Sequence, residues 1–321
     1  MKTLEEVIGI VQKEIKEINY LGEPKELYEP MNYVLQLGGK RLRPVTVLLA
    51  ANLFSDNVSS AIPAAKAIEV FHNFTLVHDD IMDDAPLRRG RPTVHEKWND
   101  NIAILSGDSL LIKAYDHFLE GNYTNLSGIL STFNTTALEV CEGQQLDMNF
   151  ETRSDVTIDE YINMIRLKTS VLVGGAMKIG ALLANSSPED AQHIYDFGVN
   201  VGLAFQLQDD YLDCFGDPQK FGKQVGGDII SNKKTFMMLK ALELDTSGKI
   251  NSWVGKESFD SKEKVDAVKE LYKTLKVDEL AFELMDQYYS KGLKSLAAIS
   301  IDDSKKTMLK AFAAQLMKRS H

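Results

Sequence analysis

The chain has 321 residues, of which 36 are basic and 46 acidic, so its net charge is −10 at neutral pH. This acidic balance argues against a general nucleic-acid-binding protein, which would need an excess of positive charge. Hydrophobic residues make up 44% of the chain, which is sufficient for a large core.

The two cysteines, Cys141 and Cys214, have neither a metal-ligand nor a redox spacing. We therefore expect reduced thiols and no disulfide framework. The first residues do not resemble a signal peptide, and no apolar run reaches about 18 residues. The sequence predicts a cytoplasmic protein without membrane insertion.

Apolar residues at helical spacing predict an amphipathic helix over residues 3–19 and a second helix over 27–37, which ends at Gly38-Gly39. Lys40-Arg-Leu-Arg-Pro44 then opens an apolar helix. Cations beside paired glycines at a helix start have two interpretations, an anion-binding site or a solvated basic loop, and the sequence supports both about equally.

An alanine-rich, buried helix is predicted over residues 61–77, and four aspartates follow it. These aspartates are Asp79, Asp80, Asp83 and Asp84. Residues three and four apart are neighbours on a helix, so their carboxylates repel one another unless cations such as Mg²⁺ neutralise them. His72 fits either a satisfied core residue or a residue that faces the same cavity as Asp79.

Arg88 and Arg89 lie in the loop after this group. They can form salt bridges with the neighbouring carboxylates. Arginine is also the preferred partner of phosphate, because its planar fork bonds two oxygens at once.

Further helices are predicted over 101–119, 130–150 and 157–184, and a helix over 190–213 ends in a second acidic group. This second group consists of Asp209, Asp210 and Asp213. Each acidic group follows an apolar run. A metal site explains this placement better than a solvated acidic face does.

The remaining chain contains a glycine-rich segment over 221–228 and a polar surface excursion over 247–264, followed by helices over 264–274, 278–297 and 304–317. No useful strand-like alternation is present. The pattern predicts one all-α domain over residues 1–321, with ten or more helices.

Two carboxylate groups, several cationic loops and much apolar helix suit a substrate with a diphosphate head and a hydrocarbon tail. Metal ions would stabilise the diphosphate as a leaving group, and lysines and arginines would hold its remaining oxygens. No nucleophile triad is visible, and the absence of a Walker A motif argues against a P-loop enzyme.

From Gly38-Gly-Lys-Arg-Leu-Arg-Pro44 to Lys233-Lys-Thr235, the chain resembles the trans-isoprenyl diphosphate synthases, or polyprenyl synthetases. The resemblance implies a homodimer of mostly antiparallel helical bundles, each around a deep central cavity, the isoprenoid synthase type I fold. It also implies a prenyltransferase of the short-chain type, which condenses isopentenyl diphosphate with an allylic diphosphate to give geranylgeranyl or farnesyl diphosphate.

The resemblance assigns roles to individual residues. Both acidic groups would bind Mg²⁺, with three ions in the closed complex, through Asp79, Asp80, Asp83, Asp209, Asp210 and Asp213. Contacts to the allylic diphosphate would be Arg88, Lys168, Lys223 and Lys233, and isopentenyl diphosphate would contact Lys40, Arg43, His72 and Arg89. Thr169 and Gln206 would line the reacting carbons, Asp147 would lie near the metals, and Gln144 would have an auxiliary polar role. The residues expected to take part most directly in catalysis are Lys168, Thr169, Gln206, Asp79 and Asp209.

The resemblance also places the floor of the tail channel before Asp79. Phe74 and Phe71 are bulky and three residues apart, which implies a short product, and the small Thr75 favours geranylgeranyl over farnesyl diphosphate. The 221–228 segment is a candidate lid. Lys318-Arg319 fits either a second segment that folds over the active site or a simple basic tail.

Three alternatives remain. A longer-chain polyprenyl diphosphate synthase would share the fold. A terpene cyclase or a squalene-synthase-like enzyme would lack the Lys40, Arg43 and His72 set for a second diphosphate. A non-catalytic regulatory subunit of a heteromeric synthase would have degenerate acidic motifs, whereas both motifs here are complete.

Overall fold

The structure, a computed structural model, describes residues 2–216 and 225–318. Helices make up 77% of it. Lys223, the first half of the candidate lid over 221–228 and Arg319 lie outside the described residues, so the expectations for them stay predictions.

Sixteen α-helices occur in the described residues and are numbered here in chain order. They are α1 Leu4–Lys16, α2 Lys25–Gln36, α3 Leu42–Phe54, α4 Ile62–Met82, α5 Val94–Lys97, α6 Asp100–Leu119, α7 Leu126–Thr152, α8 Ile158–Ile165, α9 Val171–Leu183, α10 Pro188–Phe215, α11 Gly227–Ile230, α12 Phe236–Leu244, α13 Lys249–Val254, α14 Ser261–Thr274, α15 Val277–Ala298 and α16 Asp303–Met317. A short 3₁₀-helix, Ser59–Ala61, precedes α4, and a π-helical turn, Arg166–Ser170, joins α8 to α9.

A small β-hairpin follows α4. Strands β1, Leu87–Arg88, and β2, Arg91–Pro92, pair antiparallel. Arg89 and Gly90, at the turn, have φ of 55° and 75°, as a type I′ turn requires. No strand was predicted here, because two residues are too short for apolar alternation to be visible.

The chain divides into two compact units. The first contains residues 1–134, 175–195 and 299–309, and the second contains 135–174, 196–298 and 310–321. Helices α7, α9, α10 and α16 each contribute residues to both units. The single domain expected from the sequence stays a prediction.

Helix α3 lies in the core of the first unit and is buried from Pro44 to Leu53. This agrees with its apolar sequence, because a helix that is hydrophobic all round must be covered on every side. Helix α1 instead buries one stripe of Val7, Val11 and Ile15, and Thr3 and Glu6 form a capping box at its start.

In the second unit, Tyr161 and Tyr272 are among the largest fully buried side chains. Helix α8 begins with a capping box of Thr157 and Glu160, as the expected helix start near Thr157 required. The polar 247–264 segment, expected as a surface excursion, contains α13 and the start of α14, where Asp260 caps the helix.

We predict that Gly180→Ala lowers the midpoint of urea unfolding, at a cost of about 1–3 kcal/mol. A Cβ on Gly180 of α9 would overlap the carbonyl oxygen of Val47 on α3. The matched control is Gly9→Ala on α1, where nothing lies within 4 Å of the added carbon. That change should stabilise the protein by up to about 1 kcal/mol, because alanine is the better helix former. Equal effects of the two substitutions would contradict the close packing of α9 on α3.

Candidate active site

The first acidic group lies at the end of α4. The helix ends at Met82, and Asp83 is its C-cap residue, whose backbone N–H donates to the Asp79 carbonyl at 2.9 Å. Asp84 has a φ of 48° and lies outside the helix. We expected all four aspartates to stack on one helix, and this is wrong for Asp84. The backbone of Asp84 adopts the left-handed conformation, which ends the helix before this residue.

Within this group, the middle carboxylate is buried and paired. Asp80 is only 2% exposed, and Arg88 Nε donates to its Oδ1 at 2.7 Å. Burial raises the pKa of Asp80, and the hydrogen bond and charge of Arg88 oppose that rise. Asp79 is half-buried, with Arg88 Nη2 at 3.6 Å, and Asp83 is exposed. Arg88 thus forms ion pairs with two carboxylates of this group, Asp79 and Asp80.

A cluster of arginines surrounds His72 in the same unit. Arg43 Nη1 donates to His72 Nε2 at 3.0 Å. Burial lowers the pKa of His72 well below its ordinary value, and the positive charges of Arg43, Arg89, Arg88 and Arg41 lower it further. The imidazole is therefore neutral and accepts a hydrogen bond from Arg43.

Arg43 itself is strongly constrained. Burial lowers its pKa to about 10, although the charge of Glu69 opposes the shift. Its Nε is buried and has no hydrogen-bond partner. A buried, unpaired guanidinium N–H next to other arginines favours an anion site over the solvated basic loop that the sequence left equally open.

The paired glycines before α3 allow a close approach of the hairpin. Arg89 donates to the Gly38 carbonyl oxygen. A Cβ on Gly39, whose φ is 124°, would lie 2.8 Å from the Arg89 guanidinium carbon. The glycine pair therefore makes room for Arg89, and Lys40 beside it is exposed.

Arg41 was one of the three cations at this helix start, but it does not face solvent. It donates to the Glu69 carboxylate and to the Leu35 carbonyl oxygen, and its side chain is 8% exposed. Glu69 also accepts from Asn73 Nδ2 at 3.2 Å. No sequence motif identified Glu69, because a lone glutamate in an apolar helix does not reveal its partner.

The second acidic group, in the other unit, repeats the pattern of the first. Asp210 is 7% exposed and accepts hydrogen bonds from the Tyr161 hydroxyl and, at 3.0 Å, from Gln206 Nε2. Burial raises its pKa to about 7, and the charge of Asp228 adds to the rise. Asp209 and Asp213 are half-buried, and Asp213 Oδ2 accepts the Asp228 backbone N–H at 3.0 Å.

Tyr161 and Asp228 were not predicted as site residues. Tyr161 lies 49 residues before Asp210 in the chain, and no local pattern links the two. Asp228 ends the glycine-rich 221–228 segment, which is the only sequence signal that pointed towards it. The exposed Lys233 belongs to the same neighbourhood, since its charge lowers the pKa of Asp210.

Lys168 and Thr169 lie in the π-helical turn Arg166–Ser170. Such turns insert one extra residue into a helix and are frequent at functional sites. Lys168 Nζ donates to Asp147 Oδ2 at 2.5 Å. A Cβ on Gly143 would overlap the backbone of Lys168, and one on Gly202 would lie 3.0 Å from Ser170 Cα. The two glycines thus let α7 and α10 approach this turn closely.

Gln144, next to Gly143, contributes a buried Nε2 that has no hydrogen-bond partner. A buried donor of this kind needs an acceptor, such as a water molecule or a ligand oxygen. The auxiliary polar role expected for Gln144 stays a prediction.

Phe71 and Phe74 contact each other on α4, with ring centroids 5.6 Å apart. Phe71 is buried and packs edge-on against Phe133 at 5.1 Å. Phe74 is half-buried and packs on His78 at 4.8 Å, and the Thr75 hydroxyl donates to the His72 carbonyl. Phe71 is therefore part of the core, and Phe74 is the more accessible of the two rings.

The donor sets suit a hard divalent cation. In each acidic group, the outer aspartates, Asp79 with Asp83 and Asp209 with Asp213, reach solvent, and they offer only oxygen ligands. Magnesium prefers such ligands and commonly uses one or two carboxylates together with phosphate oxygens. The middle aspartates, Asp80 and Asp210, are bound to protein donors, so their expected role as metal ligands stays a prediction.

A polyprenyl synthetase family model matches residues 24–275. The geranylgeranyl diphosphate synthase of Methanosarcina mazei is 38% identical over 317 residues, which cover 97% of this chain and 95% of that protein. The geranylfarnesyl diphosphate synthase of Natronomonas pharaonis is 39% identical over 262 residues, 75% of this chain and 77% of that protein. A crystal structure of a geranylgeranyl pyrophosphate synthase has a TM-score of 0.95 and 46% identity, with both chains covered completely.

The chain belongs to the polyprenyl synthetase family. The family predicted from the sequence is thereby confirmed, as is the all-α fold of the isoprenoid synthase type. Helices in the described ranges do not combine the length and the apolar character that crossing a bilayer requires.

We predict that His72 makes the protein less stable in mild acid. Its folded pKa lies below the unfolded value of about 6.5, so only the unfolded chain gains a proton as the pH falls through that value. Between pH 7 and pH 5.5, the unfolding free energy of the wild type should fall by about 1 kcal/mol more than that of His72→Gln, which keeps an acceptor for Arg43. Urea unfolding at the two pH values measures this difference.

The control is His193→Gln on α10, which removes a partly exposed histidine. It should keep the wild-type loss of stability. An unchanged loss in His72→Gln would contradict a neutral His72 in the folded protein.

Proposed function

We propose that this protein is a magnesium-dependent geranylgeranyl diphosphate synthase, which adds isopentenyl diphosphate head to tail to an allylic diphosphate. The broader class, a prenyltransferase that makes short-chain isoprenyl diphosphates, was predicted from the sequence and is confirmed by the family match and the relatives. The observation that carries the magnesium-dependent activity is the repeated acidic group, with a buried and bonded middle aspartate between two that reach solvent. The geranylgeranyl product is supported by similarity to geranylgeranyl diphosphate synthases.

The outer aspartates of both groups would hold the magnesium ions of the allylic diphosphate. Asp79 and Asp83 do so from the end of α4, and Asp209 and Asp213 from the end of α10. When bound, magnesium neutralises the diphosphate and makes it a better leaving group. Asp80 and Asp210 would complete the two ligand sets, although Asp80 Oδ1 is bonded to Arg88 and Asp210 is bonded to Tyr161 and Gln206.

Lys168, Lys233 and Arg88 would neutralise the allylic diphosphate oxygens that magnesium leaves unbound. Lys168 is positioned for this by its bond to Asp147 and by the π-helical turn. Thr169 and Gln206 flank the reacting carbons in this assignment, and both are half-buried. Lys223 completes the set expected from the family resemblance.

Isopentenyl diphosphate would bind at the arginine cluster of the first unit. Arg43, Arg89 and the neutral His72 supply N–H donors there, with Lys40 at the exposed edge. The pKa values of Arg43 and Arg89 are both lowered, by burial first and then by neighbouring positive charge. A diphosphate relieves this repulsion, which is the physical reason that an anion favours the cluster.

The expected homodimer also remains part of the proposal. On α6, Leu105, Ile112 and Leu119 are spaced by seven residues and are 59%, 62% and 65% exposed. Residues seven apart lie on the same helix face, so they form one apolar stripe. An exposed apolar stripe of this kind favours burial against another copy of the chain. The proposal also includes a cytoplasmic location.

The proposed function is tested by incubating the enzyme with isopentenyl diphosphate and Mg²⁺ together with dimethylallyl, geranyl or farnesyl diphosphate. Product sizing should give a twenty-carbon chain from each primer. A fifteen-carbon or twenty-five-carbon end product would refute the geranylgeranyl assignment while keeping the class. The absence of any elongation would refute the activity itself.

We predict that Asp79→Asn and Asp209→Asn each lower kcat by at least about 100-fold, because each removes a charge that stabilises the leaving diphosphate. The expected loss is measured by radiolabelled isopentenyl diphosphate incorporation at saturating substrate. Asp286→Asn, an exposed aspartate on α15, is the matched control and should keep the wild-type rate. Wild-type activity in either acidic-group variant would exclude that residue from catalysis.

We predict that Phe74→Ala yields longer products, because removal of a bulky, half-buried ring opens space before the acidic group. Phe74→Tyr keeps the bulk and should keep the product length. Chromatographic sizing of the products from farnesyl diphosphate measures the change. An unchanged chain length in a folded Phe74→Ala enzyme would remove Phe74 from the floor of the channel.

A further inference from the structure

Three side chains next to the hairpin form a second possible cation site. Asp84, His95 and Glu96 each offer one ligand atom, and these atoms all lie within 4.8 Å of one another. Asp84 follows α4, and His95 and Glu96 lie on α5. His95 and Glu96 belong to neither the metal nor the substrate site described above, and Asp84, the last of the four aspartates at the end of α4, is not among the expected magnesium ligands.

His95 provides an independent sign of a ligand. Its side chain is only 6% exposed, and neither Nδ1 nor Nε2 has a hydrogen-bond partner. A buried polar atom without a partner is costly, so an unpaired imidazole near two carboxylates is unfavourable unless something binds it. His95 Nε2 already lies 3.9 Å from Glu96 Oε1.

We propose that Asp84, His95 and Glu96 bind one divalent transition-metal cation of the zinc class, independently of the magnesium on the two aspartate groups. Imidazole nitrogen is a ligand that suits zinc and its neighbours, whereas magnesium selects oxygen ligands. Two carboxylates balance the charge of the ion, and a water molecule completes a four-coordinate site.

The spacing fits this assignment after a small movement. Ligand atoms around a tetrahedral zinc ion are about 3.4 Å apart, since each is about 2.1 Å from the metal. The donors, which now lie within 4.8 Å of one another, must therefore close by up to about 1.4 Å. Asp84 and Glu96 are both exposed, so their side chains can move by rotation while His95 stays fixed.

The ion would fix the hairpin that carries Arg88 and Arg89. Residues 84 and 95 lie on either side of β1 and β2, so a shared ion closes the intervening segment as a cross-link does. Arg88 contacts Asp79 and Asp80, and Arg89 contacts Gly38. The cation would thus limit the movement of two arginines at the substrate site.

The test uses the full, tag-free chain after chelator treatment, dialysed against Zn²⁺ in excess Mg²⁺ so that oxygen-only sites are filled. Elemental analysis of the wild type should give one zinc per chain. His95→Asn should lose it, and Asp84→Asn and Glu96→Gln should each weaken binding at least tenfold. The Asp84→Asn change preserves folding, because asparagine tolerates the left-handed backbone at this exposed position.

His193→Asn is the matched control. His193 Nε2 also lies 3.9 Å from a glutamate, Glu189, but no third ligand completes a set there in the described residues. His193→Asn should retain the zinc. Asp79→Asn and Asp209→Asn should also retain it, although they lose the proposed enzymatic activity. Failure of the zinc site and failure of the proposed activity are therefore distinguishable.

Cobalt provides a second readout. Co²⁺ in place of zinc should give a visible absorption band that His95→Asn abolishes and that Asp79→Asn keeps. The proposal is overturned if the wild type binds no zinc in excess Mg²⁺, or if the zinc content is the same in the Asp84→Asn and Glu96→Gln variants as in the wild type.

Discussion

Three aspartates at the end of each of two largely apolar helices create a concentration of negative charge that the protein must neutralise. It does so in part with its own groups. Arg88 bonds to Asp80, and Tyr161 with Gln206 bonds to Asp210. Each group thus has one buried and bonded carboxylate, while its two neighbours reach solvent. The proposed function assigns magnesium and a diphosphate to these outer carboxylates. Each group also has a cation nearby, Arg88 beside Asp80 and Lys233 near Asp210.

Close backbone contact is the second requirement of the site. Gly143 and Gly202 bring α7 and α10 against the turn that carries Lys168 and Thr169, and Gly39 makes room for Arg89. In each case a methyl group would meet backbone or a guanidinium group rather than open space. These three glycines thus have a packing role that is separate from the chemistry of their neighbours.

Much of this organisation was predictable from the sequence, because helical periodicity and the acidic motifs are local patterns. The helical bundle, the two acidic groups and the family follow from them. Long-range partners do not. Tyr161 and Glu69 carry no local signal, and their bonds to Asp210 and Arg41 depend on packing between distant parts of the chain. The hairpin at Arg88 was missed because its strands have two residues each.

The proposed function requires both acidic groups to act on the same allylic diphosphate, each through its own magnesium ligands. A double-mutant cycle on kcat/KM with Asp79→Asn, Asp209→Asn and the combined variant tests it most directly, since groups that act as a unit show strongly non-additive losses. The account predicts that the combined variant loses little more activity than either single variant. Losses that multiply would show that the two groups act independently and would contradict it.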